Sequence, residues 1–322
     1  MAFKAFKSFF LLLAINSLVL VSTACNGGAS SNHGAFLDEH ITDYTLPLRT
    51  PFSTHNIIVP TRGDVYIQQG NVILDKTNVN YGYIMVQYDG DSPRVVVRVE
   101  PPNDYPYQNH DLTRYGTWDV LTLTRGSGLY SITVLENVEG QLFATVLHTT
   151  VEVELYDELL PFLTPNRYVN FNKNSNAVAL AYELAIGART ELEVVRAIYA
   201  YIIQNISYDH ELAAQITSGI VATYVPDIDR TLKTRVGICF DYAALMAAML
   251  RSQNIPTRLE IGFVTDIYHA WVSIHTQDYG WIHAVHFSGY GWSLMDPTFS
   301  AAGPGLEEFI GDASNYNTLF LH

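Results

Sequence analysis

From Cys239 to Gln253 the chain reads CFDYAALMAAMLRSQ, and between Ala243 and Leu250 it is apolar on nearly every side. A helix without a polar face has no place on a surface, so this one must be central and enclosed by other elements. Its alanines at 243, 244, 247 and 248 let those elements approach closely. Asn254-Ile255-Pro256 ends it, since the residue before a proline is pushed out of helical backbone. Four runs that read as strands follow: Thr257 to Val264, Tyr268 to His275, Trp281 to Phe287, and Trp292 to Asp296 before Pro297. One buried helix against consecutive strands predicts an α+β domain. Helical texture also precedes it. Ser175 can cap a helix with Ala177, Leu180, Ala181 and Leu184 on one stripe and Gly187 as its stop. Thr190 to Glu193 forms a capping box for a second helix through Ile203, with Leu192, Val195, Ile198, Tyr199 and Ile202 on its buried face.

The first part of the chain has a different texture. Short Val/Ile/Tyr/Thr-rich runs at Asp64 to Ile67, Tyr81 to Gln87, Arg94 to Val99, Val120 to Leu123 and Leu129 to Leu135 are separated by turn formers such as Asp89-Gly90-Asp91-Ser92-Pro93. Tyr130 to Val134 alternates as a half-buried strand should. Regular short strands between turns predict an all-β sandwich of immunoglobulin-like kind. The residues ahead of it read as an export signal: Lys4 and Lys7, an apolar run from Phe9, then small residues before Cys25. Ser22-Thr23-Ala24 suits signal peptidase, while Cys25 directly after it resembles a bacterial lipobox cysteine. The expected organisation is a signal peptide at 1–24, a Gly/Ser/Asn tether at 25–40, a β-sandwich at 41–156, a Pro/Asn-rich linker at 157–174 and the α+β domain at 175–322. Cys25 is the candidate lipid-attachment residue. The protein is expected to be exported and lipid-anchored on the outer face of the cytoplasmic membrane, with simple secretion as the alternative, so that a membrane is engaged only through the N-terminal lipid.

Charge and cysteine content narrow the function. The formal charge is −14, and removing the two leader lysines makes it about −16. No basic run occurs after the leader, and binding nucleic acid needs clustered Lys and Arg, so no nucleic-acid partner is expected. Two cysteines are present in all. With Cys25 at the processing site, Cys239 stands alone, which leaves no internal disulfide and no four-cysteine zinc site. A lone cysteine is ordinarily a small buried apolar residue. Its neighbours here point elsewhere. At a helix N-terminus it faces backbone N–H groups and the positive end of the dipole, both of which favour the charged, nucleophilic form. Gly237 permits tight or left-handed backbone just before it, and the helix start can supply an N–H to an oxyanion. In YHAWVSIH, alternation puts His269, Trp271, Ser273 and His275 on one strand face. His269 is the candidate base, and Asp296, held extended by Pro297, is the candidate that orients it.

Gly237-Ile238-Cys239-Phe240-Asp241-Tyr242-Ala243, His269-Ala270-Trp271-Val272 and Asp296-Pro297-Thr298, in that order, resemble the transglutaminase-like superfamily. Ile198 to Asp209 resembles the helix and Tyr-Asp turn that such domains carry before the cysteine. The resemblance covers roughly residues 160–322 and not the β region. It implies a papain-like core, with a central buried helix against an antiparallel sheet, and a Cys-His-Asp triad at Cys239, His269 and Asp296. It also implies attack on an amide carbonyl to give a thioester, by a cysteine peptidase or amidase or by a transglutaminase, on a protein or peptide substrate such as cell-wall peptide. No cofactor is implied. Members that have lost activity leave a binding or scaffold lipoprotein as the alternative. A second oxyanion donor upstream of the cysteine has two candidates, Tyr208 and Gln204. Gly237, Trp271 and Trp292 are the candidate cleft residues. In many members the tryptophan lies close to the aspartate, whereas here IHAVHFSGYGWSLM separates Trp281 from Asp296. Trp292 is therefore the better match, and Trp281 belongs to an extra strand or loop.

Plainer readings stand beside these. Asp-Pro-Thr is also an ordinary turn. His275, His283 and His286 hint at a metal site, but on a strand His283 and His286 point to opposite faces, and no metal is expected. Asp241 reads as a first-turn residue favoured by the helix dipole rather than a catalytic acid. Trp271 could shield the His269 ring from water or simply fill the core.

Overall fold

The computed structural model describes residues 46–112, 116–264, 267–282 and 316–322. Two antiparallel four-stranded sheets come first. One has the order β1-β2-β3-β6, from β1 (Tyr66–Gln69), β2 (Val72–Asp75), β3 (Tyr83–Tyr88) and β6 (Trp118–Thr122). The other has the order β5-β4-β7-β8, from β4 (Val95–Glu100), β5 (Gln108–Leu112), β7 (Gly128–Glu139) and β8 (Leu142–Val153). Strand alternation decides what each sheet buries. On β7, Tyr130, Ile132 and Val134 point into the core while Leu129 is exposed. They meet Leu74, Ile84, Val86 and Leu121 of the opposite sheet in one apolar cluster. The sheets thus form a sandwich, and each buried aliphatic side chain contributes roughly 1.5–3 kcal/mol.

The second unit contains α1 (Asn176–Ala185), α2 (Glu191–Asn205), β9 (Ser207–Tyr208), α3 (His210–Thr217), α4 (Ile228–Thr234), β10 (Val236–Gly237) and α5 (Cys239–Ser252). It continues with β11 (Thr257–Val264), β12 (Ile267–Thr276), β13 (Gly280–Ile282) and β14 (Tyr316–Leu321), in the antiparallel sheet β13-β12-β11-β14. Every residue from Asp241 to Ser252 is buried, as the apolar sequence requires. α5 packs on β11 and β12 from one side and on α1, α2 and α4 from the other. The whole is a mixed α+β molecule, antiparallel β-sheets followed by a helical and β core.

Two helix caps differ from the sequence reading. Ser175 precedes α1 but its hydroxyl accepts from the Asn172 N–H rather than from the helix. Thr190 does accept from the Glu193 N–H, at 3.2 Å, whereas the Glu193 carboxylate reaches back to the Arg189 N–H instead of completing the box. Side chains join the two units. The Thr124 hydroxyl donates to the Leu321 carbonyl at 2.8 Å, and Arg167 pairs with Asp119 at 2.6 Å. The segment ahead of the sandwich packs on the second core. The Arg49 N–H donates to the Ala188 carbonyl, its guanidinium donates to the Gln253 carbonyl, and Ile57 is buried among the helices. Among the described residues no helix is long and apolar enough to cross a membrane.

Candidate active site

Cys239 is the first residue of α5, half-buried, with a free thiol. The first helical bond, from the Tyr242 N–H to the Ile238 carbonyl, begins three residues further on. The N–H groups of Cys239, Phe240 and Asp241 therefore lie ahead of the helical ladder, at the positive end of the dipole. The turn that presents the cysteine is held on both sides. Val236 and Gly237 pair in parallel with Ser207 and Tyr208, and the Asp209 N–H donates to the Gly237 carbonyl at 2.9 Å. Asp241 accepts from the Ile238 N–H at 2.9 Å. Ile238 has no side-chain acceptor, so this is half of a capping box, made by the third residue alone.

Gly237 has a role other than the one its type suggested. Its backbone is not left-handed; a Cβ there would stand 2.6 Å from the Cβ of Asp241. The glycine makes room for the carboxylate rather than for a strained turn. The left-handed residue is Arg235, at φ 57°, which closes α4.

The start of β12 arrives beside this turn. Tyr268 is 56% exposed, yet its hydroxyl end is crowded enough that burial first, and then the Cys239 sulfur nearby, push it above its usual range. His269 follows it, buried and paired in register with Gly262 of β11. A Cβ on Gly262 would lie 1.9 Å from the Asn317 carbonyl oxygen, so glycine is what allows β14 to close over β11 at the His269 level. Trp271, two residues on, is buried edge-on to Tyr316, with ring centroids 5.1 Å apart. Ser273 donates to Glu260, which also accepts from Thr318 at 2.6 Å.

Of the two upstream candidates for an oxyanion donor, Tyr208 sits on β9 alongside Gly237, half-buried against the core. Gln204 is exposed on the last turn of α2. Asp296, Trp292 and Cys25, like His283 and His286, lie outside the described residues. Trp281 belongs to β13, an added edge strand, where the Arg258 guanidinium stacks 3.6 Å from its ring centroid and His275 lies edge-on at 5.3 Å. Among the described residues no three His, Cys, Asp or Glu side chains converge as metal ligands would.

Three neighbours of the cysteine escaped the sequence reading. Tyr268 precedes the histidine and was not singled out. The Phe240 and Tyr168 ring centroids lie 5.9 Å apart, which ties the turn that bears Cys239 to the connecting segment. Tyr224 lies in a stretch without periodicity and donates to Asp241 at 2.7 Å. Only Asp241 carried a signal, that of a first-turn acid favoured by the helix dipole.

Residues 178–297 match the family described as the transglutaminase-like superfamily. Solved structures show similarity at low identity. A candidate cysteine protease from Cytophaga hutchinsonii is 18% identical, with 73% of this chain and 79% of that one covered and a TM-score of 0.35. The periplasmic domain of TgpA from Pseudomonas aeruginosa is 17% identical, with 76% and 98% covered and a TM-score of 0.33. Red sea bream transglutaminase is 15% identical, with 62% and 47% covered and a TM-score of 0.26. None of these scores reaches 0.5, and no activity follows from them. No curated protein matches the chain. The chain therefore carries, over residues 178–297, a domain of the transglutaminase-like superfamily.

Proposed function

We propose that the protein is a thiol-dependent amide hydrolase or acyl transferase, with Cys239 as nucleophile, His269 as base and Asp296 as the residue that orients it. The observation that carries this reading is the placement of Cys239. It is a half-exposed thiol on the first residue of an otherwise buried helix, with the strand that bears His269 beginning beside it. In the first step the thiolate attacks a peptide or glutamine amide carbonyl and the C–S bond forms. The C–N bond then breaks as the imidazolium gives its proton to the departing amine. In the second step water or another amine attacks the thioester and loses a proton to the imidazole. The C–S bond breaks and the thiolate is regenerated. In this reading Tyr208, which pairs with Gly237, and the N–H groups of the first turn donate to the oxyanion. This chemistry uses no metal or organic cofactor. The leader and Cys25 support an exported, lipid-anchored protein acting on cell-surface proteins or wall peptides.

Intact-mass measurement after mixing with cell-wall peptides and surface-protein peptides tests this. The expected result is an acyl adduct on Cys239 that Cys239→Ala abolishes. Amide turnover that persists in Cys239→Ala would contradict the mechanism, and binding without any adduct would favour a scaffold.

A further inference from the structure

The steps above leave one buried ionisable group beside the nucleophile unused. Asp241 is fully buried two residues from Cys239, and its oxygens collect donors from three separate segments. Oδ2 accepts from the Ile238 N–H at 2.9 Å. Oδ1 accepts from the Tyr224 hydroxyl at 2.7 Å, from the Thr231 hydroxyl at 3.4 Å and from the Arg230 guanidinium at 3.5 Å. Arg230 also donates to the Tyr224 hydroxyl, so that hydroxyl is fixed in direction, donor to the carboxylate and acceptor from the cation. Burial raises the Asp241 carboxyl above its usual range, and the Tyr224, Ile238 and Thr231 hydrogen bonds and the Arg230 cation oppose that rise.

A cap on an exposed helix start needs none of this. A third-residue carboxylate in water satisfies one N–H and remains solvated. Here the carboxylate is removed from water, enclosed by α4 and the segment before it, and given space by Gly237. Arg230 and the two hydroxyls supply the partners that a carboxylate removed from water requires.

We infer that Asp241 is a positioning residue for the nucleophile. It fixes the Gly237-Ile238-Cys239 turn to α4, so that the Cys239 sulfur and the N–H groups of the first turn face one substrate position, and Tyr224 and Arg230 hold it in the state that does this. The inference rests on Cys239 being the nucleophile.

The test is the rate of iodoacetamide alkylation at Cys239 in the full chain, per folded molecule, with melting temperatures measured alongside. Asp241→Ala removes the acceptor of the Ile238 N–H and should slow alkylation by about 10-fold or more. Asp241→Asn keeps an oxygen for that N–H and should restore the rate to within about 3-fold of wild type. Tyr224→Phe, which deletes one hydroxyl, should slow it by roughly 3-fold. If Asp241 only stabilises the fold, Asp241→Ala lowers the melting temperature while the folded molecule reacts at the wild-type rate, and the inference is overturned. Should Asp241→Ala fail to fold, Tyr224→Phe decides, and an unchanged rate there overturns it equally. A wild-type rate no higher than that of free cysteine would remove the nucleophile reading itself. A fast wild type with equally fast variants removes only the role of Asp241.

Discussion

The two ends of α5 bury charges of opposite sign, each of the sign the helix dipole favours: Asp241 in the first turn and Arg251 in the last. They are held very differently. Arg251 donates to the Thr257 carbonyl from Nε at 3.0 Å and from Nη2 at 2.8 Å, to the Thr164 carbonyl at 2.9 Å and to the His322 carbonyl at 2.8 Å. These partners are backbone groups of the sheet and of the connecting segment, and burial pulls the guanidinium down to about 9. Asp241 is held by one N–H of its own turn and by side chains. The carboxyl end of the helix is thus sealed into the frame, while the amino end is braced from behind and leaves its thiol reachable. A helix fixed at one end and presenting at the other separates stability from chemistry along its length.

That separation can be broken by mutation. Cys239→Ala has the largest expected effect, a loss of about 1,000-fold or more in kcat/KM with the melting temperature nearly unchanged. Arg251→Ala should do the reverse. It strands three buried carbonyl acceptors, and the unfolding free energy measured in urea should fall by about 3–5 kcal/mol. If the two variants affected stability alike, the contrast between the ends would be wrong.

Acid should act through the sealed end. His110 is buried with its Nδ1 2.9 Å from the Tyr168 hydroxyl, and Tyr168 stacks on His322 at 4.2 Å. Burial first, and then Arg167, pull His110 from 6.5 to about 3, and His322 is lowered in the same direction. The folded state thus resists protons that the unfolded chain accepts. Stability is full above 6.5 and declines as pH falls toward 3, by up to about 1.4 kcal/mol per pH unit for this one group. Urea titrations at pH 7, 6 and 5 should show the slope, and His110→Gln should flatten it. A slope that His110→Gln leaves intact would place the acid sensitivity elsewhere. The smallest effect belongs to the exposed Arg94–Asp111 pair on the sandwich: Arg94→Ala should change stability by less than about 1 kcal/mol.

The contrast also explains what could be read in advance. α5 was legible because an all-round apolar run admits one reading, and β11 and β12 because Val/Ile/aromatic-rich runs follow the break at Pro256, although both faces are largely buried and burial along them does not alternate. α3 and α4 were not. At eight and seven residues they are too short for a stripe to emerge, although Asp209 and Asp227 cap them. β5, QNHDL, is polar in sequence and still buries Gln108, His110 and Leu112, because its partners come from β4 and from Tyr168. Cys239 and His269 could be singled out by type and spacing. The enclosure of Asp241 could not, since its donors, Tyr224, Arg230 and Thr231, become neighbours only through tertiary structure.

The most direct test of the central claim is alkylation of Cys239 by iodoacetamide near neutral pH, followed by mass at the Cys239 peptide in native wild type, native His269→Ala and unfolded chain. A nucleophilic Cys239 should react at least about 10-fold faster in the native wild type than in the unfolded chain, and His269→Ala should remove most of that advantage. Slow labelling in the native protein that becomes fast only on unfolding would make Cys239 a structural thiol and contradict the account.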